Sequence, residues 1–267
     1  MTQDPDLKLG LDYWDTQEAT INGVLGGFGN GSLPRVESLG SRQFLMSMRS
    51  DLCRVPCVLR RLDAPSLDAP RRRVRALDVG AGIGRVTASV LLPLVDDVVL
   101  VEPAEHFISR AVQDSSKWKG IPNLTKSVTF VRSPLQSFDP AIVPRGHRAG
   151  RSYNPSEPET GYDVIWCQWC LGHLTDDDLI SFFKRSQAVL REPEDPQRPQ
   201  GAGVIIVKEN TTEDDEGGDP VTVYADDDSS VTRSDAAWKL VFKRAGLMLM
   251  KEEVQKGLPE GLLEVKT

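Results

Sequence analysis

No apolar run in the 267 residues approaches the ~20 that a bilayer-spanning helix needs. The first residues also lack a basic stretch followed by an apolar core, the pattern of a secretory leader. A soluble intracellular protein is expected, cytoplasmic and also nuclear, with no membrane partner. Positive charge is short as well: 32 Lys and Arg stand against 39 Asp and Glu, a net charge of −7. That balance argues against nucleic acid as a partner and suits a cationic one. The one basic cluster, Arg71-Arg-Arg-Val-Arg75, lies directly before an apolar run and reads as a solvated approach to it. Cysteine is scarce, four residues in two local pairs, Cys53 with Cys57 and Cys167 with Cys170. One pair sits inside a helical pattern and the other ends an apolar strand, so neither suits a zinc knuckle. They read as buried thiols acting as small hydrophobes, and no metal is expected.

What is present begins with Arg75-Ala-Leu-Asp-Val-Gly-Ala-Gly-Ile-Gly-Arg85, an apolar strand delivered into three alternate glycines and then a helical pattern. Gly80, Gly82 and Gly84 allow a tight turn with the backbone close to a ligand. A second apolar run, Val98-Val-Leu-Val101, ends in Glu102, 22 residues after Gly80. There a doubly wound fold places an acid that accepts from ribose hydroxyls. The dinucleotide fingerprint needs a glycine where this chain has Arg85. A long cation there fits a cofactor with one carboxylate and no phosphate, such as S-adenosylmethionine, whose carboxylate Arg85 could take bidentately. The competing reading is a glycine turn that binds nothing.

Along the chain the patterns alternate: strand 74–79, helix 84–94, strand 97–102, helix 104–114, strands 127–132 and 162–168, helix 175–190, strand 203–208 and a helix over 234–245. This is the rhythm of a parallel sheet, and the length fits one large α/β domain. Residues 1–65, with a helical stretch from about Ser38 to Leu62, form an extension, and 66–267 the main domain. Thr175 before Asp176, Asp177 and Asp178 is a helix cap with acids on the dipole. Residues 140–161 and 211–230 read as loops. The second carries Glu213-Asp-Asp-Glu216 and Asp226-Asp-Asp228 at the carboxyl edge of the sheet, where solvated surface and ligand contact are equally good readings.

Several segments together resemble the protein α-N-terminal methyltransferases: Tyr13-Trp14, Val24-Leu-Gly-Gly-Phe-Gly29, the glycine loop, Leu135-Gln136, Asp163-Val-Ile-Trp-Cys-Gln-Trp-Cys-Leu-Gly-His-Leu-Thr-Asp176, Val207-Lys-Glu-Asn210 and Asp228-Ser-Ser-Val-Thr-Arg233. The resemblance spans nearly the whole chain. It implies a seven-stranded, mostly parallel, Rossmann-like class I methyltransferase sheet with an N-terminal helical extension acting as a substrate lid. It also implies methylation, from S-adenosylmethionine, of the free α-amine of proteins beginning X-Pro-Lys or X-Pro-Arg after Met removal, ribosomal proteins among them, by a monomer. Gly80, Gly82, Arg85, Glu102, Leu135, Gln136 and Gln168 are then the expected cofactor contacts. Tyr13, Trp14, Leu25, Trp169, Asn210 and Ser230 are the expected peptide contacts, and Asp228 and His173 the expected groups that orient the amine and take its proton. Read without the resemblance, Trp14 and Trp169 are core residues and His173 merely leads into a helix. The chain departs from the family at Ala225, where relatives carry an acid, with Asp226 and Asp227 as substitutes, and at Glu102, where several have Asp. It also ends at Thr267 inside the last expected strand, so that edge is expected to be short. Two rival functions are a small-molecule methyltransferase on the same domain and a noncatalytic binder of X-Pro-Lys termini.

Overall fold

The computed structural model describes residues 3–53, 72–143, 146–157, 159–193 and 201–267. In chain order the strands are β1 (Arg75–Val79), β2 (Asp97–Glu102), β3 (Ser127–Arg132), β4 (Arg148–Gly150), β5 (Val164–Gln168), β6 (Val204–Thr212), β7 (Thr222–Ala225), β8 (Ser230–Ser234) and β9 (Glu264–Lys266). The helices are α1 (Leu7–Thr16), α2 (Ile21–Val24), α3 (Leu33–Met48), α4 (Glu105–Ser115), α5 (Asp176–Gln187) and α6 (Asp235–Ala245).

β1, β2 and β5 are buried along their whole lengths because both faces are covered, which is why they read as unbroken apolar runs. Alternate residues feed two cores. Ala76, Val98, Phe130 and Trp166 pack with α3 and Val90 on one face, while Leu77, Val99 and Ile165 pack with Phe182, Phe183, Trp238 and Val241 from α5 and α6 on the other. The strands run β4-β3-β2-β1-β5-β6-β8-β7, with β9 also on β6. β3, β2, β1, β5 and β6 are mutually parallel, β8 joins β6 in parallel, and β4, β7 and β9 pair antiparallel. Among the described residues the sheet therefore has nine strands rather than the expected seven, within the expected mostly parallel α/β plan. Among the described residues no helix is long and apolar enough to cross a membrane.

Several expectations need correction. The 211–230 segment is a loop only over 213–221: β6 runs on to Thr212, and β7 and β8 form a hairpin whose turn is Asp226–Ser229. Within 140–161, β4 pairs with β3, although Pro144 and Pro158 lie outside the described residues. The helix expected over 38–62 is α3, which begins at Leu33 and ends at Met48; Cys57 lies outside the described residues. After the glycine loop the backbone widens to a π-helical turn, Thr87–Leu91, with Leu92 N–H donating to Thr87 O at 2.9 Å. The basic cluster is not solvated. Arg73 pairs with Asp97, Arg72 with Asp163, and Arg75 is buried with its guanidinium 4.8 Å from the Tyr162 ring centroid; Arg71 lies outside the described residues. Cys53, Cys167 and Cys170 are buried thiols, and Cys170 Sγ donates to Val79 O at 3.3 Å.

Candidate active site

The carboxyl ends of β1, β2 and β5 open into a cleft of about 940 Å³, open solvent included. All seven expected cofactor residues line it, as do Trp14, Trp169 and His173. The structure does not bring Tyr13, Leu25, Asn210, Asp228 or Ser230 onto that lining. Residues that nothing in the sequence singled out line it too: Leu7, Gly10 and Leu11 from α1, with Phe107 and Pro134. Spacing alone could have flagged the α1 set, because Leu7, Gly10, Leu11 and Trp14 recur at one helical face.

The glycine loop is shaped by protein as much as by any ligand. Gly80 and Gly82 have φ of 59° and 56°, a region that favours glycine. A Cβ on Gly80 would collide with Cys170 and one on Gly84 with Trp118, so both keep neighbouring side chains close. Only at Gly82 is there room, the nearest atom being Val24 Cγ1 at 3.5 Å. Close approach of the backbone to a ligand is thus a property of Gly82, not of all three.

Glu102 closes this end. Its Oε2 accepts from Gly82 N–H at 2.8 Å and its Oε1 from Ala104 N–H at 2.9 Å, tying the loops after β1 and β2 together. Burial pushes its carboxyl up to about 7, partly opposed by those two backbone donors. Asp78, one residue before the end of β1, also rises to about 7 through burial while accepting from Thr87 Oγ1 at 2.6 Å. Arg85 is not a free clamp. Its Nη1 donates to Glu37 of α3, whose other oxygen accepts from Lys208 Nζ at 3.1 Å and Ser41 Oγ at 2.5 Å. Burial would raise the Glu37 carboxyl, yet the two cations and these bonds bring it down to about 2. Bidentate capture of a carboxylate by Arg85 would have to compete with that buried acid, so its expected role is reduced to the remaining guanidinium nitrogens.

Gln168 supplies a donor instead. Trp166 Nε1, which can only donate, bonds Gln168 Oε1 at 3.0 Å and so fixes the amide's direction. Gln168 Nε2 is left buried, without a protein partner, on the cleft wall. Trp166 is thus core, and of the tryptophan pair only Trp169 faces the cleft. Trp169 takes a φ of 53° and lies 5.7 Å under the Arg85 guanidinium. Leu135 is buried on the cleft wall, and Gln136 Nε2 donates to His173 O at 3.1 Å. An orphaned buried amide donor, an acid at the second strand end and an apolar wall fit a ligand with a carboxylate, a ribose and an adenine. The residues therefore suit S-adenosylmethionine.

The far end is roofed by α1. Asp6 N–H donates to Ser229 Oγ at 2.9 Å, and Trp14 Nε1 donates to His173 Nε2 at 2.8 Å. His173 Nδ1 and the Asp228 main-chain carbonyl both lie within 3.5 Å of where a Cβ on Gly10 would stand. Asp228 Oδ1 and His173 Nδ1 are buried without hydrogen-bond partners, and Ser229 between β7 and β8 takes a φ of 52°. Burial lowers the His173 pKa, opposed by the Asp228 charge. The Tyr13 phenol, on α1, is raised by burial and by the nearby charges of Asp228 and Asp227. Ser230 Cβ stands 3.5 Å from a Cβ built on Gly172, beside His173. Leu25 is buried with Val24 taking the wall position, and Asn210 lies in β6 opposite Val265. The acid runs separate. Asp214 caps Ala236 N–H and Asp215 its own turn, whereas Asp226 and Asp227 are exposed at the hairpin tip.

Residues 5–267 match the family described as AdoMet dependent proline di-methyltransferase. The alpha N-terminal protein methyltransferase 1 of Schizosaccharomyces pombe is 35% identical over 256 residues, 96% of this chain and 91% of that protein. The N-terminal Xaa-Pro-Lys N-methyltransferase 1 of Xenopus tropicalis is 32% identical over 253 residues, 95% and 89% of the two chains. A solved S-adenosylmethionine-dependent methyltransferase from Leishmania major superposes with a TM-score of 0.69 at 28% identity, over 96% of this chain and 79% of that one. A β1 loop and β2 acid built for a nucleoside, under a helical roof with unpaired polar groups, thus belong to an enzyme of the AdoMet-dependent proline di-methyltransferase family.

Proposed function

We propose that this enzyme methylates the free α-amine of proteins that begin X-Pro-Lys or X-Pro-Arg, ribosomal proteins with such termini included. The observation that carries this reading is the roofed end of the cleft, where Asp228 Oδ1 and His173 Nδ1 are buried and unpartnered beneath α1. Buried polar atoms are rarely left unpaired, and an amine supplies donors for the carboxylate. The Xenopus tropicalis relative, named for N-terminal Xaa-Pro-Lys N-methylation, points to the same substrate.

S-adenosylmethionine, when bound, supplies an electrophilic methyl group. Glu102, Gln168, Gly82 and Leu135 would hold it. The chain's remaining task is to present a neutral amine. A free α-amine titrates at about 7.7–8.0, so a minority is already neutral near pH 7. Asp228 and His173 orient the nitrogen and manage its proton, while Trp169 packs on the substrate proline. The exposed Asp226 and Asp227 at the hairpin tip face the Lys or Arg that follows. Tyr13, Leu25, Asn210 and Ser230 are proposed to complete the peptide channel around Asp228, although they lie off the cleft described above. Residues 1–65 act as the lid in this reading, and the enzyme works as a monomer in the cytoplasm and nucleus. A small-molecule methyltransferase would have no use for acids at the hairpin tip.

The test is the initial rate against peptide concentration for X-Pro-Lys, X-Pro-Arg and X-Pro-Gln at two ionic strengths. The Lys and Arg peptides are expected to be good substrates and the Gln peptide much poorer. Equal kcat/KM for Lys and Gln would sink the role of the hairpin acids.

A further inference from the structure

Among the described residues, Trp14 makes the one side-chain hydrogen bond to the His173 ring, from Nε1 to Nε2 at 2.8 Å. An indole N–H donates and never accepts. The nitrogen that receives it must offer a lone pair, so Nε2 carries no proton, and the ring proton of a neutral imidazole falls on Nδ1. That nitrogen is buried with no hydrogen bond of good geometry, facing the turn that holds Asp228 and Ser229, whose backbone still favours a proton on the ring. A ring with Nε2 engaged and Nδ1 protonated has no lone pair left to take a proton from an amine. Asp228 Oδ1, buried and unpartnered at the same turn, does.

We infer that Trp14 is a positioning residue: its indole fixes His173 as the Nδ1–H tautomer, His173 serves as a donor to the Asp228–Ser229 turn, and Asp228 alone accepts the proton of the substrate ammonium. The step is a transfer between two named groups. The ammonium N–H bond breaks with its electron pair left on nitrogen, and the proton bonds to a carboxylate oxygen of Asp228, giving a neutral amine and a neutral carboxylic acid. The inference rests on the α-amine reading above for the identity of the proton donor, though not for the tautomer.

The surroundings agree. From α1, Gly10 lets the helix come close to Nδ1, since even a Cβ there would stand 3.1 Å from it. The groups facing the ring from the β7–β8 turn, the Asp228 charge and the Ser229 backbone, both favour a proton on the histidine, and burial outweighs them to keep it neutral. The other titratable groups near the turn are Tyr13, which feels the charges of Asp228 and Asp227, and Asp227 itself. Gln136 fixes the backbone on the far side by donating to His173 O at 3.1 Å. The hydroxyl of Tyr224 and the Asp6 N–H both bond Ser229 Oγ, at 3.0 and 2.9 Å, so the turn cannot drift from α1 without losing a bond.

The tautomer is read directly by ¹⁵N NMR of the whole chain labelled at its three histidines, the His173 ring being assigned by its loss in His173→Asn. A protonated Nδ1 and a bare Nε2 are expected in the parent protein, and Trp14→Phe should move the proton toward Nε2. A parent ring protonated at Nε2, or on both nitrogens, or unmoved by Trp14→Phe, overturns the inference. Rates on an X-Pro-Lys peptide give the second arm. Asp228→Asn should lose ~10²–10⁴-fold in kcat, the usual worth of a proton acceptor. His173→Asn, whose amide nitrogen can stand in for Nδ1–H, should lose less than His173→Ala. A His173→Asn enzyme as slow as Asp228→Asn makes His173 the base and overturns the inference. Calorimetric binding of S-adenosylhomocysteine reports that each variant is folded. If the parent leaves the peptide unmethylated, the substrate reading fails, while the NMR arm still decides the tautomer.

Discussion

At the glycine-loop end of the cleft the acid is already paired: Glu102 spends one oxygen on Gly82 and the other on Ala104. At the α1 end Asp228 Oδ1, His173 Nδ1 and Trp169 Nε1 are buried with no partner. The first end is built from neighbouring strand ends and backbone N–H groups, which hold their places without a ligand. The second is assembled from residues far apart in sequence, Trp14 with His173 across 159 residues and Asp6 with Ser229 across 223. The cofactor end leaves one such atom unpaired, Gln168 Nε2, and the α1 end leaves three, so most of the bonds still to be made are left for a specific substrate.

That contrast breaks most sharply at Asp228. Asp228→Asn should cost ~10²–10⁴-fold in turnover while the affinity for S-adenosylhomocysteine, measured by calorimetry, stays unchanged. Loss of both together would mean the two ends are one cooperative unit. At the other end, Glu102→Ala should weaken cofactor binding by about 1–3 kcal/mol, roughly 5–150-fold, as expected for removing a charged hydrogen-bond partner. The KM for peptide at saturating cofactor should hardly move.

Gly10→Ala sharpens the comparison without removing a polar group. Its methyl would press on the His173 ring, so kcat should fall by roughly tenfold, below the ~10²-fold that a misplacement of about 1 Å costs. Cofactor affinity should again be unaffected, and an enzyme as fast as the parent would show that α1 sits loosely on the ring.

The smallest expected effect is on pH. Burial raises the Glu102 carboxyl to about 7 in the free protein. Ribose hydroxyls that donate to it favour the ionised form, so binding drives the proton off. Cofactor affinity should therefore rise between about pH 6 and pH 8, by at most about tenfold for one group titrating near 7. Asp78 also stands near 7, so the control is Glu102→Gln, in which calorimetry should find the pH dependence flattened.

β1, β2 and β5 were legible because burial on both faces removes every polar residue except those at strand ends and the acid Asp78. The same property made the β1 loop and Glu102 stand out. The hairpin was not legible. β7 has four residues, half of them exposed, and its turn is three consecutive acids and a serine, so it carries neither an apolar run nor a turn glycine. β4 is three half-buried residues among prolines and glycines. The π turn after Arg85 shares its apolar spacing with an ordinary helix over so short a stretch. Arg85 pairs with an acid 48 residues away, and nothing local to either residue signals the pairing. The tryptophan pair was legible as a motif only through resemblance, and geometry was needed to assign Trp166 to the core and Trp169 to the cleft.

The most direct test of the α1 end as an α-amine site is fragmentation mass spectrometry of an X-Pro-Lys peptide after incubation with the enzyme and S-adenosylmethionine, beside its N-acetylated form. Methyl groups are expected on the terminal nitrogen of the free peptide alone, since acetylation delocalises that lone pair into an amide. Methylation of the acetylated peptide on its Lys side chain, or none of the free peptide, would contradict the reading.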